Sequence, residues 1–254
     1  MKIATWNVNS IRARKDRVLA WLDVNPVDVL CMQETKTVDG GFPFADFSAR
    51  GYHVEHWGTP AYNGVAIASK LPLAEVMRGL DANADPQARC IAATISGVRV
   101  MCVYVPNGEA PQSAKFVYKL AWLDRLLAVM SSSDLSKPLL LCGDFNVAPE
   151  PIDVHDPALW EGNCLFHPDE RARLEKLRSL GLVDVYRAQH VGEADRYTWW
   201  DYRMLGFQRN QGLRIDHVYA SAPAAARVTR AEIDREARKG KGASDHAPVV
   251  VELA

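Results

Sequence analysis

Leu139-Leu140-Leu141-Cys142-Gly143-Asp144-Phe145-Asn146 is the stretch that decides how this chain folds. Its apolar opening has no polar alternation, which fits a strand buried on both faces of a sheet rather than one with a face in water. Similar short runs recur from end to end: Val27 to Met32, Val65 to Ala68, Ile91 to Ile95, Val98 to Val105, Leu213 to Ala220 and Val249 to Leu253. Helical patterns lie between them. After Ser10, residues Ile11, Val18, Leu19 and Leu22 share a face; after Ser113, so do Phe116, Leu120, Leu123, Leu127 and Met130. Both serines are suited to accept a bond from the first-turn amides. A third helix is predicted from Pro168 to Leu180, stopped by Gly181.

Strands and helices alternate without a linker, a repeat or a low-complexity tract, so the prediction is one α/β domain over residues 1–254. Ala148 to His167 has few periodic positions and reads as a long surface excursion, a kind of loop that often carries function or moves. No apolar run approaches the roughly eighteen residues that cross a bilayer, and Met1-Lys2 leads into a strand rather than a signal peptide. The expectation is a cytoplasmic protein with no membrane association. Its five cysteines, Cys31, Cys90, Cys102, Cys142 and Cys164, are scattered without a C-x-x-C pair, which argues against a disulfide framework or a zinc cluster and for reduced core residues.

A net charge of -1 does not advertise a nucleic-acid partner. Carboxylates gathered around a cation would hide a basic rim in that total, however. Arg12, Arg14, Lys15 and Arg17 form one candidate rim and Arg203, Arg209 and Arg214 another; on composition alone both read as solvated helix or loop faces.

The chemistry lies in the polar residues at the strand ends. Asn7 ends the first strand, Glu34 closes Val29 to Gln33, and Tyr104 ends the strand that opens at Val98. Asp144 and Asn146 follow Leu139 to Gly143, Asp216 sits within Arg214 to His217, and Asp245-His246 precede the last strand. A single carboxylate there ordinarily caps a helix or forms a turn. Together they point to one crevice, because strand ends in α/β folds converge. Hard oxygens such as those of Glu34 suit Mg²⁺. Asp144 and Asn146 are two apart and would share a strand face if extended, so that one could take a proton from water while the other orients it; His246 and Tyr104 can donate hydrogen bonds to phosphate oxygens.

Seven segments, in order, resemble the exonuclease III family of apurinic/apyrimidinic endonucleases: Trp6 to Arg12, Leu30 to Lys36, Tyr104 to Gly108, Gly143 to Asn146, Thr198 to Arg203, Leu213 to Asp216 and Ser244 to Pro248. Each alone is weak, and their order across nearly the whole chain is what makes the match specific. The resemblance implies a four-layer α/β sandwich, two mixed β-sheets face to face and flanked by helices. It implies a divalent cation, Mg²⁺ with Mn²⁺ able to substitute, held chiefly by Glu34 with Asn7, Asp144, Asn146, Asp245 and His246 around it. Asp144 and Asn146 would position the attacking water. His246 would be held by Asp216, and Tyr104 and Asn107 would touch the scissile phosphate.

In the same resemblance Arg12, Tyr62 and Arg89 fall where the family grips the DNA backbone. Trp199, Leu213 and Ile215 fall where it builds an apolar pocket for a flipped-out sugar, although by composition these three, with Trp200, read as core. His155 and His217 match no functional position. The implied partner is double-stranded DNA with abasic sites or damaged 3′ ends, acted on by a monomer. Two rivals are a relative that cleaves another phosphoester and a catalytically dead binding module. Thr198 to Arg203, Arg12 and Arg89 speak against the first, and the intact Glu34, Gly143-Asp144-Phe145-Asn146 and Asp245-His246 speak against the second.

Overall fold

The computed structural model describes residues 1–81 and 85–254. Its strands are β1 (Lys2–Asn7), β2 (Val29–Gln33), β3 (His53–Trp57), β4 (Val65–Ser69), β5 (Ala74–Arg78), β6 (Cys90–Ile95), β7 (Val98–Tyr104), β8 (Leu139–Asp144), β9 (Val183–Asp184), β10 (Trp199–Trp200), β11 (Gly212–Leu213), β12 (Asp216–Ala220), β13 (Val228–Ile233) and β14 (Val249–Leu253). The α-helices are α1 (Ile11–Val24), α2 (Phe44–Ser48), α3 (Ala114–Ser132), α4 (Pro157–Trp160), α5 (Pro168–Ser179), α6 (Val185–Gln189) and α7 (Ala222–Ala225). Two six-stranded sheets form, in the orders β13-β14-β1-β2-β4-β3 and β5-β6-β7-β8-β12-β9, and β10 pairs with β11 in a small ribbon. Each large sheet mixes parallel pairs, β1 with β2 and β7 with β8, with antiparallel ones.

The layers follow from alternation. Ile3, Val29, Cys31, Val100, Cys102, Leu140 and Cys142 meet between the sheets. Their neighbours Ala4, Trp6, Leu30 and Met32 face outward and pack on Ile11, Val18, Leu19 and Leu22 of α1. On the other side Met101, Val103, Leu139 and Leu141 pack on Trp122, Leu123, Leu126 and Met130 of α3 and on Leu174 and Leu177 of α5. The result is the four-layer sandwich. Because side chains alternate with period two, Asn7 follows Ile3 and Thr5 into the space between the sheets, and Asp144 follows Leu140 and Cys142 there.

The three long helices begin and end as their sequences require. The Ser10 and Ser113 hydroxyls accept from the amides of Ala13 and Phe116, and Gly181 takes a positive φ of 96° just past the end of α5. Two expectations need correcting. The run Leu213 to Ala220 is not one strand: it divides into β11 and β12 around Arg214 and Ile215. Ala148 to His167 is not simply a surface excursion, since Ala148, Asp153, Val154, Cys164, Leu165 and Phe166 are buried and most of them share an apolar cluster with Leu213 and Ile215.

Candidate active site

At one end of the inter-sheet space the strand-end residues meet. The Asn7 side-chain amide donates to Glu34 Oε1 at 2.9 Å and to Asp144 Oδ2 at 2.8 Å, bridging carboxylates borne by different sheets. Asp216 pairs with Asp144 in the β12–β8 register, which brings a second carboxylate alongside. Two amides of the chain, those of Ile215 and Asp216, donate to the Thr198 hydroxyl at 3.0 Å and fix the start of β12. His246 arrives on the segment before β14. Its carbonyl accepts from the Trp6 indole at 3.0 Å, and the Ser244 hydroxyl donates to Asn7 O at 2.7 Å.

His246 Nδ1 donates to Asp216 Oδ2 at 2.8 Å, and its Nε2 lies 3.8 Å from Asp144 Oδ2. Burial works to neutralise the ring, but the charges of Asp216 and Asp144 overcome it and hold the imidazolium up to about 10. Asp144 is pushed up to about 7, first by burial and then by the charges of Asp216 and Glu34, against the pull of His246. Tyr104, buried beside Glu34 and Asp144, is raised well above the usual phenol range and keeps its proton.

Glu34, Asp144 and His246 each offer a ligand atom, all within 4.8 Å of one another. Two carboxylates and no thiol make a hard donor set, which fits Mg²⁺ or Mn²⁺. As arranged, His246 bears its proton and serves as a donor; Glu34 and Asp144 supply the oxygens. Asn146 lies next to them, with Nδ2 3.2 Å from Asp144 Oδ2 and 3.0 Å from Val105 O, and Asn107 Nδ2 donates to Asn146 Oδ1 at 3.1 Å. Asp245 stands outside that triangle. Its two oxygens accept from Asn9 Nδ2 at 2.9 Å and Trp199 Nε1 at 3.1 Å.

Residues 4–246 match the endonuclease/exonuclease/phosphatase family, a span that includes all of these groups. The chain belongs to that family. It is 34% identical to exodeoxyribonuclease III of Haemophilus influenzae, with both chains covered in full. An AP endonuclease from Archaeoglobus fulgidus superposes with a TM-score of 0.96 at 44% identity, covering 100% of this chain and 99% of that one. A 3′ phosphatase from Neisseria, bound to a product DNA hairpin, superposes with a TM-score of 0.97 at 43% identity and the same coverage. The enzyme class follows: a hydrolytic nuclease.

The remaining predicted positions divide. Arg12 is exposed on α1 and Tyr62 is 73% exposed, so both are free to meet a partner. Arg89 is only 8% exposed; its guanidinium lies 4.7 Å from the centre of the Tyr104 ring and donates to Tyr104 O at 3.2 Å. In this family member Arg89 therefore supports Tyr104 from beneath. Leu213 and Ile215 are fully buried with Phe116, Val154 and Phe166, and Trp199 is the partly exposed edge of that cluster, with Trp160 at 6.5 Å.

Arg214 corrects the expectation of a basic rim. It is 1% exposed and clamps Asp153 at 2.7 Å and Asp184 at 2.8 Å, while His217 accepts from it at Nδ1 and bonds Val147 O, a core histidine as its lack of a functional match implied.

Among further contributors to the site, Lys36 and Asn9 were not singled out in the sequence, and Arg14 was read only as part of a basic rim. Lys36 Nζ lies 2.6 Å from both Glu34 Oε2 and Asn9 Oδ1, and the Arg14 guanidinium donates to Asn9 O and, at 3.0 Å, to the Tyr202 hydroxyl. Their signal was adjacency: Asn9 and Lys36 each stand two residues from a predicted ligand. Glu34, Lys36 and Asn146 all take positive φ, near 50°, a conformation uncommon for residues with a side chain and concentrated at functional sites.

Proposed function

We propose that this chain is a Mg²⁺-dependent DNA-repair phosphodiesterase that cuts 5′ to abasic sites and processes 3′ ends, with Mn²⁺ able to substitute. The observation that carries this reading is the meeting of Asn7, Glu34, Asp144 and the Asp216–His246 pair at one end of the sandwich. Glu34 would hold the cation, with Asn7, Asp144 and Asp245 beside it. A bound divalent cation supplies positive charge where negative charge builds on the phosphate oxygens.

The protein groups do the rest. Asp144, whose proton affinity is shifted to near neutrality, takes the proton of the attacking water, and Asn146 orients that water. His246, kept protonated by Asp216, donates to a phosphate oxygen; Tyr104 and Asn107 hold the phosphate from the other side. Trp199, with Leu213 and Ile215 behind it, forms the apolar wall against which a bare sugar rests. Arg12 and Tyr62 meet the duplex backbone. The full-length likeness to exodeoxyribonuclease III and the superposition on a phosphatase bound to product DNA support DNA as the substrate.

Residues 1–254 act as one catalytic unit and as a monomer. A core that draws on both Ile3 and Leu253 supports the single unit. The five free, buried cysteines suit the reducing cytoplasm, and among the described residues no helix is long and apolar enough to cross a membrane.

The test is one preparation assayed on matched duplexes bearing an abasic analogue, a recessed 3′ end, a 3′ phosphate or an RNA strand. Each is run with Mg²⁺, with Mn²⁺ and with EDTA. Cleavage of the abasic and 3′-end substrates that EDTA abolishes and Mg²⁺ restores is the expected result. Undiminished cleavage by metal-stripped protein in EDTA removes Glu34 from its role, and inactivity on the abasic duplex alone restricts the enzyme to 3′ ends.

A further inference from the structure

Lys119 interrupts the apolar stripe of α3. It lies three residues from Phe116 and from Trp122 and is fully buried, as is Glu170 on α5. The two pair at 2.6 Å. The remaining ammonium protons go to backbone carbonyls, Asn146 O at 2.7 Å and Asn107 O at 3.0 Å. All three donors of the lysine are thereby used. The residues whose carbonyls it holds are the pair whose side-chain amides meet at 3.1 Å beside Asp144.

The packing around it is equally specific. Cys164 Sγ donates to Asn107 O at 2.8 Å. Gly108 takes a φ of 94°, and a Cβ there would lie 2.9 Å from Cys164 Sγ and 3.0 Å from Lys119 Cδ, so the Asn107-Gly108 backbone rests directly on the lysine stem. Stability alone does not account for the arrangement. A buried ion pair can commonly be replaced by apolar residues of similar volume at little cost, because desolvation offsets the attraction.

We propose that Lys119 is a positioning residue for the reaction, with Glu170 as its charge partner. By holding Asn107 O and Asn146 O on one ammonium it fixes the spacing of the two loops that follow β7 and β8. That spacing sets the Asn107 and Asn146 amides relative to each other and to Asp144. This inference rests on the reading of the site given above.

The test compares wild type with two charge-neutral double variants, Lys119→Met/Glu170→Gln and Lys119→Leu/Glu170→Leu. The probe is whichever duplex of the panel above the wild type cleaves fastest, and thermal melting is followed in parallel. Expected are folded proteins whose kcat falls by about 10- to 100-fold, the scale of a misplacement near 1 Å, with KM changed much less. Asn107→Ala is then added to wild type and to a folded double variant. It should cost far less in the double variant, because groups acting as a unit are non-additive.

Wild-type kcat in a folded double variant overturns the proposal, as does an Asn107→Ala effect of equal size in both backgrounds. Failure of both double variants to fold also overturns it, by assigning the pair to stability. A wild type that cleaves none of the duplexes would instead sink the underlying reading of the site.

Discussion

Two buried ionic clusters in this protein each set a pair of aspartates against a buried cation, and they behave in opposite ways. In one, Asp144, Asp216 and Glu34 face the imidazolium of His246. In the other, Asp153 and Asp184 face Arg214, and Arg187 adds a further bond to Asp153 at 2.5 Å. Burial raises the carboxyls in both. Around Asp153 and Asp184 the arginine charges overcome it, and both are held below the usual carboxylate range. Around Asp144 burial prevails, because the pull of His246 is opposed by the charges of Asp216 and Glu34, and the group is driven up to about 7. The aspartates alone do not separate a working site from a structural clamp here; the balance of charge around them does.

That contrast breaks most readily at the reacting groups. Asp144→Asn and His246→Asn should each reduce turnover by about 10² to 10⁴ or more with the fold retained, and the double variant should lose less than the product. Steady-state rates beside circular dichroism check this, and near-normal turnover by either single variant would refute the assignment. The structural cluster should answer differently. Arg214→Met leaves buried Asp184 without its counter-ion and Asp153 with Arg187 alone, and should cost about 3–5 kcal/mol of stability, while molecules that remain folded keep kcat. Denaturant unfolding with active-site titration measures both.

Stability against pH sharpens the comparison, because the two clusters act at opposite ends of the scale. His246, raised to about 10, contributes stability that is complete below its unfolded value of 6.5 and is lost as pH rises through 10. His217 is lowered to about 4 by burial and by Arg214, so its contribution is present above 6.5 and lost as pH falls through 4. Asp153 and Asp184, both held low, add to the acid-side loss. Melting curves of metal-stripped protein should therefore decline on both sides of neutrality. His246→Asn should reduce the alkaline decline and, by removing the charge that lowers Asp144, raise that carboxyl further; His217→Gln should lessen the acid decline.

The smallest effects belong to the rim. Arg12→Ala should weaken duplex binding and reduce the log–log salt slope by about one unit. Trp199→Ala should leave that slope unchanged and narrow the preference for abasic over intact DNA, since an abasic nucleotide costs less to extrude. Binding isotherms over a range of salt separate the two. Full abasic discrimination by a folded Trp199→Ala variant would return Trp199 to the core.

What could be read from the sequence follows from where each residue lies. Central strands such as β2, β4 and β8 announce themselves as apolar runs because both of their faces are buried. The edge strands β3, β5 and β13 were missed, since they keep much of their surface in water and alternate with charged residues. Site residues at the ends of central strands were legible for the same reason as the strands. Arg214 and Lys119 were not, because a charge beside an apolar residue looks the same whether it is solvated or clamped by carboxylates distant in sequence, such as Asp153 and Glu170. Sequence position carries pattern. It does not carry the partner.

The histidines of the two clusters, His246 and His217, test the contrast most directly. Imidazole proton shifts of metal-stripped wild type, assigned with His246→Asn and His217→Gln and followed over pH, would report both clusters in one titration. The charge-balance account predicts that His246 stays protonated through neutrality and titrates near 10, while His217 stays neutral down to about 4. Two folded-state histidines titrating together near the ordinary value of about 6.5 would contradict it.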